Sequence, residues 1–189
     1  MNPLASVLLS PEEAQAMKAP GATNAAVLLP LYGHPERPGL VFTERRLDLR
    51  RHAGEISFPG GRPDTPEEAL LDTALREAEE EIGLSPDQVE VAGALPPVGT
   101  FVTGYKVHPF VGTIPEGIRF RPNPSEVAAV LTFTLDRLRD GFAMRRLIRR
   151  GVPIRTPTYE VGEHMIWGAT ARILSDFLER VAPPAEEDR

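Results

Sequence analysis

The sequence predicts an α/β layered domain in which helices cover a mixed β-sheet. Three observations lead there. Short apolar runs of strand length alternate with longer segments of helical periodicity. Proline- and glycine-rich stretches separate them. The chain, 189 residues long with 41% hydrophobic and 25% charged residues, has the composition of an ordinary globular protein and is large enough to bury a core. No internal repeat or long linker divides it, so residues 1–189 read as one domain.

Taken in order, Ser10 followed by Pro11, Glu12 and Glu13 reads as a helix start, with proline in the first turn. The apolar run 25–31 has the length of a buried strand. Residues 33–39, with two prolines, read as a turn, and 40–43 as a second strand. The strongest helix is expected over 66–82, ended by Gly83. Strands are expected over 89–95, 105–113 and 126–134, then a short helix over 136–141. Segments 145–152 and 157–161 read as a hairpin with a loose loop between them. A final helix over 167–181 follows from the spacing of Ile173, Leu174, Phe177, Leu178 and Val181.

Composition excludes several function classes. The chain has no cysteine, so disulfides, thiolate metal sites and cysteine nucleophiles are ruled out. A formal charge of −6 argues mildly against a nucleic-acid partner and does not exclude a phosphorylated small molecule, because local charge matters more than the sum. No stretch approaches the roughly 20 apolar residues of a membrane-spanning helix. Residues 1–11 lack the pattern of a signal peptide, and the last residues carry no prenylation or peroxisomal signal, so a cytoplasmic location is expected. Oligomeric state is not set by the sequence.

The chemistry concentrates on the helix around Arg76-Glu77-Ala78-Glu79-Glu80-Glu81-Ile82-Gly83-Leu84. At about 100° per residue, Glu77, Glu80 and Glu81 fall on one side, while Leu71, Leu75, Ala78 and Ile82 form a separate apolar stripe and Glu79 points away. Like charges at this spacing repel, and a divalent cation would turn repulsion into attraction. Oxygen-only donors favour Mg²⁺ or Mn²⁺. Arg76, four residues before Glu80, can orient it. A glutamate-rich helix face alone is usually just solvated; here the surrounding residues add specificity.

Gly61 together with the Arg76–Leu84 run resembles the Nudix box, whose R-E-x-x-E-E-x-G core is matched at every defined position by Arg76, Glu77, Glu80, Glu81 and Gly83. The box, about 61–84, also has an upstream glutamate. Glu67 keeps the usual gap from the glycine, whereas Glu68 keeps the usual gap to the arginine, so either can fill that position. The resemblance implies a Nudix-like α/β/α sandwich and metal-assisted attack of water on a nucleoside diphosphate linked to another group. Glu77, Glu80 and Glu81 are then the expected metal ligands, and Arg76, Glu80 and Glu81 catalytic.

Ahead of the box, Thr43-Glu44-Arg45, Arg50, Gly54 and Phe58-Pro59-Gly60-Gly61 are similar to the signature of the coenzyme A pyrophosphatase branch. Val41-Phe42 replaces two leucines, and Arg46 stands where a small residue is expected. Coenzyme A carries a 3′-phosphate besides its diphosphate, and arginine suits phosphate bidentately. Arg45 and Arg50 are therefore expected to bind substrate; Arg46 and Arg51 are left undecided. Gly60 and Gly61 allow close backbone approach to phosphates.

Glu126, in Pro122-Asn123-Pro124-Ser125-Glu126-Val127, occupies a loop-to-strand junction from which such enzymes often draw a further ligand or general base. His52, His108 and His164 lack ligand spacing and read as structural, and Trp167 as a core anchor. Phe101 and Tyr105 sit in a loop that could border the pocket. The expected activity is Mg²⁺- or Mn²⁺-dependent cleavage of coenzyme A, with or without an acyl group, to 4′-phosphopantetheine and adenosine 3′,5′-bisphosphate. The alternatives are a pyrophosphatase for ADP-ribose or another nucleoside diphosphate derivative, and a Nudix module that binds nucleotides without cleaving them.

Overall fold

The structure is a computed structural model that describes residues 3–33, 37–46, 48, 54–100, 103–149 and 152–182. Its first helix, α1 (Pro11–Ala16), opens with a capping box: Ser10 Oγ accepts from the Glu13 N–H, and the Glu13 carboxylate accepts from the Ser10 N–H. Two strands follow, β1 (Thr23–Tyr32) and β2 (Gly39–Arg45). Two short strands come next, β3 (Ile56–Ser57) and β4 (Gly60–Gly61), and then helix α2 (Leu70–Ile82). Strands β5 (Glu90–Ala94), β6 (Val98–Gly99), β7 (Tyr105–Thr113) and β8 (Val127–Thr134) lead to the short helix α3 (Leu135–Asp140). The last elements are β9 (Phe142–Arg149), β10 (Val152–Val161), β11 (His164–Ile166) and α4 (Gly168–Arg180).

The main sheet runs β3-β2-β1-β7-β5, with β8 beside β2, β4 beside β1 and β6 beside β7. The long β1–β7 pairing is parallel and the others are antiparallel, so the sheet is mixed as expected. Alternation along β1 sends Ala26 and Leu28 to one face and Leu29 to the other, each into a separate core. On the first face lies α2, packed through Ala74, Ala78 and Ile82. On the second lie α4, through Ile173, Leu174 and Phe177, and α3, through Leu135 and Leu138. The sandwich also includes a small antiparallel sheet, β11-β10-β9, whose Tyr159, Val161 and Ile166 join that second core.

Strands β1 and β2 pair only at Leu31/Leu40 and Tyr32/Gly39. Below this point they splay, and the segment 56–61 fills the gap. Ile56 and Ser57 pair with β2, while Gly60 and Gly61 cross over to pair with Val27 and Ala26 of β1. Phe58 anchors the crossing: it is buried and stacks on Phe42 of β2 at a centroid distance of 4.6 Å. Such a pair adds about 0.5–1.5 kcal/mol beyond its buried area. The Pro59 carbonyl accepts from the Leu28 N–H at 2.9 Å. The Phe-Pro-Gly-Gly stretch is thus fixed at the sheet's centre, with Phe58 in the second core and the two glycines against α2.

Several boundaries differ from the sequence expectation. Helix α2 starts at Leu70 rather than 66, because Pro66 and Glu67 form a turn closed by the Glu68 N–H on the Thr65 carbonyl. The expected hairpin is present, but Pro153–Thr156 belongs to β10 and pairs with Ile148–Arg145, so no loose loop lies there. Trp167 is half-buried at the N-cap of α4.

Candidate active site

Arg76 organises the acidic helix. Its Nε donates to Glu68 Oε1 at 2.9 Å, Nη1 to Glu77 Oε1 at 3.1 Å and to Glu80 Oε1 at 3.2 Å, and Nη2 to the Arg62 carbonyl at 3.1 Å. Of the two glutamates that could fill the upstream position of the box, Glu68 is the one that meets Arg76. Glu68 is Arg76's main partner and also accepts from the Asp64 N–H at 2.6 Å, while Glu67 is exposed in the turn. The extra residue therefore lies between Gly61 and the glutamate. The gap of seven residues between Glu68 and Arg76 was the signal for this in the sequence. Hydrogen bonds from Arg76 hold the Glu68 carboxyl below the usual carboxylate range.

Glu77 and Glu81 point toward the sheet. Only 6% of the Glu81 side chain is accessible, and Oε2 accepts from the Gly60 N–H at 3.2 Å. Burial, which penalises the charged form, pushes the Glu81 carboxyl up to about 7 despite that hydrogen bond; the charges of Glu77 and Glu126 push the same way. Glu77 is also raised by burial, with Arg76 opposing and Glu80 and Glu126 adding to the shift. Glu81 lies at the edge of the buried face of α2, beside Ala78, rather than on a wholly solvated stripe. The small Ala74 and Ala78 let the helix come close to β1 and β4.

A Cβ on Gly61 would meet the Glu77 carboxylate and push it from its place. Gly60 has φ +156°, and a Cβ on it would meet the Ala26 carbonyl. The glycine pair and the acidic helix therefore form one site.

Arg45, at the end of β2, points its Nη1 at Glu81 Oε1 from 3.9 Å. Its buried Nε has no hydrogen-bond partner among the described residues. Arg46 instead pairs with Asp48 and donates to the Pro124 carbonyl. Glu126 is exposed on a turn at the start of β8, close enough to Glu77 and Glu81 to raise both. Arg50, Arg51, His52 and Phe101 lie outside the described residues. Tyr105, the first residue of the strand expected over 105–113, begins β7 and packs on the second core rather than bordering the pocket from a loop. His108 is buried on β7, held neutral by burial with its pKa lowered to about 4. His164 lies on β11 near the ring of Phe133.

The structure thus brings together Gly60, Gly61, Glu77, Glu81, Arg45 and Arg76, with Glu80 at the exposed edge and Glu126 facing them from a second element. Among the described residues no three acidic or histidine side chains converge as ligands on one point; Arg76 engages Glu77 and Glu80 in ion pairs.

A mixed sheet between helical layers thus carries an arginine-ordered glutamate helix against a glycine turn. Residues 22–151 match the family model described as NUDIX domain. The chain is 40% identical over 164 residues to the uncharacterized Nudix hydrolase NudL of Pectobacterium atrosepticum, covering 84% of this chain and 83% of that protein. It is 42% identical over 156 residues to the NudL protein of Escherichia coli O1:K1, covering 82% and 80%. In fold it is similar to a Nudix hydrolase from M. smegmatis, RenU, with TM-score 0.53 and 21% identity over 66% of this chain and 76% of that one. The chain belongs to the Nudix hydrolase family, whose members act on nucleoside diphosphate derivatives and generally use divalent metal ions.

Proposed function

We propose that the protein hydrolyses the diphosphate of coenzyme A, or of its thioesters, in a reaction that depends on Mg²⁺ or Mn²⁺. The observation that carries this is the contact between the two sequence motifs. The Phe-Pro-Gly-Gly turn donates a backbone N–H to Glu81 and packs Gly61 on Glu77. The Arg45, Arg50, Gly54 and Phe58–Gly61 register, similar to the coenzyme A pyrophosphatase signature, supports the substrate.

A hard cation fits this donor set. Two desolvated carboxylates, raised by burial and by neighbouring acidic charges, would gain from a positive ion, and all the donors are oxygen. Glu77, Glu80 and Glu81 would hold it. When bound, such an ion polarises a phosphoryl oxygen and makes water a better nucleophile. The remaining roles fall to the chain itself. Arg76 orients Glu77 and Glu80, and Glu68 in turn holds Arg76. Glu126, on a separate loop, accepts a proton from the attacking water or serves as accessory ligand. Arg45 offsets charge on the diphosphate, and Arg50 supplies a further cation for the 3′-phosphate.

A second reading has its own observation. Arg45 lies beside Glu81, where it would meet a diphosphate common to many substrates. That favours a broader pyrophosphatase acting also on ADP-ribose. Comparing kcat/KM for coenzyme A, its 3′-dephospho form and ADP-ribose separates the two. One charge-assisted contact is worth about 1.5–3 kcal/mol, so coenzyme A should exceed the dephospho form by roughly tenfold or more. Equal efficiency on both, with ADP-ribose cleaved as well, would favour the second reading.

A further inference from the structure

We propose that Asn123 is a positioning residue that holds Glu126 against the carboxylates of α2, with Arg46 clamping the same turn from the other side. This rests on the reading in which Glu126 acts in the site. The segment has the right chemistry for a tight turn: Asn123 at its first position and Pro124 at its second. The Asn123 carbonyl accepts from the N–H of Glu126 at 3.1 Å and of Val127 at 2.9 Å. Its side-chain Oδ1 accepts from the Ser125 N–H at 3.1 Å and the Ser125 hydroxyl at 2.7 Å. One residue thus closes the turn with both its backbone and its side chain.

The turn is also fastened to the helix. The Asn123 N–H donates to the Glu81 carbonyl, and the Arg121 N–H to the Ile82 carbonyl, each at 2.8 Å. These carbonyls belong to the last turn of α2, which has no intrahelical donors for them. Asn123 therefore links the backbone of Glu81 to that of Glu126. From the opposite side the Arg46 N–H donates to the Glu126 carbonyl at 3.2 Å, and its guanidinium donates to the Pro124 carbonyl. Asp48 fixes that guanidinium through bonds of 2.8 and 2.6 Å.

Glu126 carries a like charge near enough to Glu77 and Glu81 to raise both carboxyls, and a fastened turn resists that repulsion. Repulsion from Glu77 and Glu81 would drive an unrestrained loop outward, and a displacement of about 1 Å can cost on the order of a hundredfold in rate. Arg46, at a position where the resembled signature has a small residue, gains a purpose particular to this chain.

The test is a double-mutant cycle with steady-state kinetics at saturating Mg²⁺, on coenzyme A or, if it is the better substrate, ADP-ribose. Asn123→Ala should lower kcat about tenfold and leave KM within about twofold. Asn123→Ser, which keeps an acceptor oxygen without adding a charge, should recover part of the loss. In the Glu126→Gln background Asn123→Ala should have no further effect, since there is no longer a carboxylate to place. Thermal unfolding of each variant reports on folding. If Asn123→Ala does not fold, Ser125→Ala should give a smaller kcat loss of the same kind, again absent in the Glu126→Gln background. Full activity in Glu126→Gln alone would remove Glu126 from the site and the proposal with it. An impaired Glu126→Gln beside a normal Asn123→Ala, or losses that simply multiply, would overturn the positioning role while leaving Glu126 in place. Failure of Ser125→Ala to lower kcat, or an equal loss in both backgrounds, would do the same.

Discussion

At position 81 a carboxylate is held almost wholly out of water, with one backbone N–H and a distant guanidinium as compensation. Its pKa is raised to about 7, so the folded protein binds a proton there more tightly than the unfolded chain does. The sign follows from linkage: the residue's contribution to stability is present below the ordinary carboxylate range and is lost as pH rises toward 7. In metal-free protein, Glu81→Gln should therefore raise Tm by a margin that widens from pH 5 to pH 8. A margin independent of pH would contradict the desolvation. The same variant, and Glu80→Gln, should cut Mg²⁺-supported turnover by at least about a hundredfold while the fold is kept. Near-normal turnover in either would take that residue out of the reaction. The identities of these residues were legible in the sequence, because helical geometry puts Glu77, Glu80 and Glu81 on one side. The burial of Glu81 was not. It arises from a helix drawn close to the sheet over Ala74 and Ala78, which depends on what lies opposite. The use of Arg45 is similar: its position in a motif was visible, its approach to Glu81 was not.

Between elements, the contact of β4 with α2 sets the site's dimensions. Gly61→Ala should push the Glu77 carboxylate, the movable end of a long side chain, off its position with a stability loss within about 1 kcal/mol. Turnover should fall by more than that loss of stability explains, measured by steady-state rate beside denaturant unfolding. An alanine variant with unchanged turnover would mean that the position of the Glu77 carboxylate does not matter to the reaction. Long periodic elements such as β7 and α4 could be read directly from the chain. Strands of two residues, β3, β4 and β6, could not, because so short a segment has no period; only pairing partners distant in sequence define them. The start of α2 was misplaced for a related reason. Pro66 suits a first helical turn and a β-turn equally, and the demand of Arg76 for the Glu68 carboxylate decides between them.

Across the whole molecule, the splaying of β1 from β2 opens the space in which the two motifs meet. Neither strand announces that gap, although the glycines that fill it are conspicuous. The layered α/β class was legible from alternating periodicities; the small sheet β11-β10-β9 beside α4 was legible only as a hairpin. No helix among the described residues is long and apolar enough to cross a membrane. The central claim is that these parts form a metal-dependent diphosphate hydrolase, and chromatography of products tests it most directly. Purified protein incubated with coenzyme A and Mg²⁺ should release 4′-phosphopantetheine and adenosine 3′,5′-bisphosphate in equal amounts, and should release neither when EDTA replaces the ion. Undiminished turnover in EDTA, or folded protein that leaves coenzyme A, its dephospho form and ADP-ribose all intact with Mg²⁺ and with Mn²⁺, would contradict it.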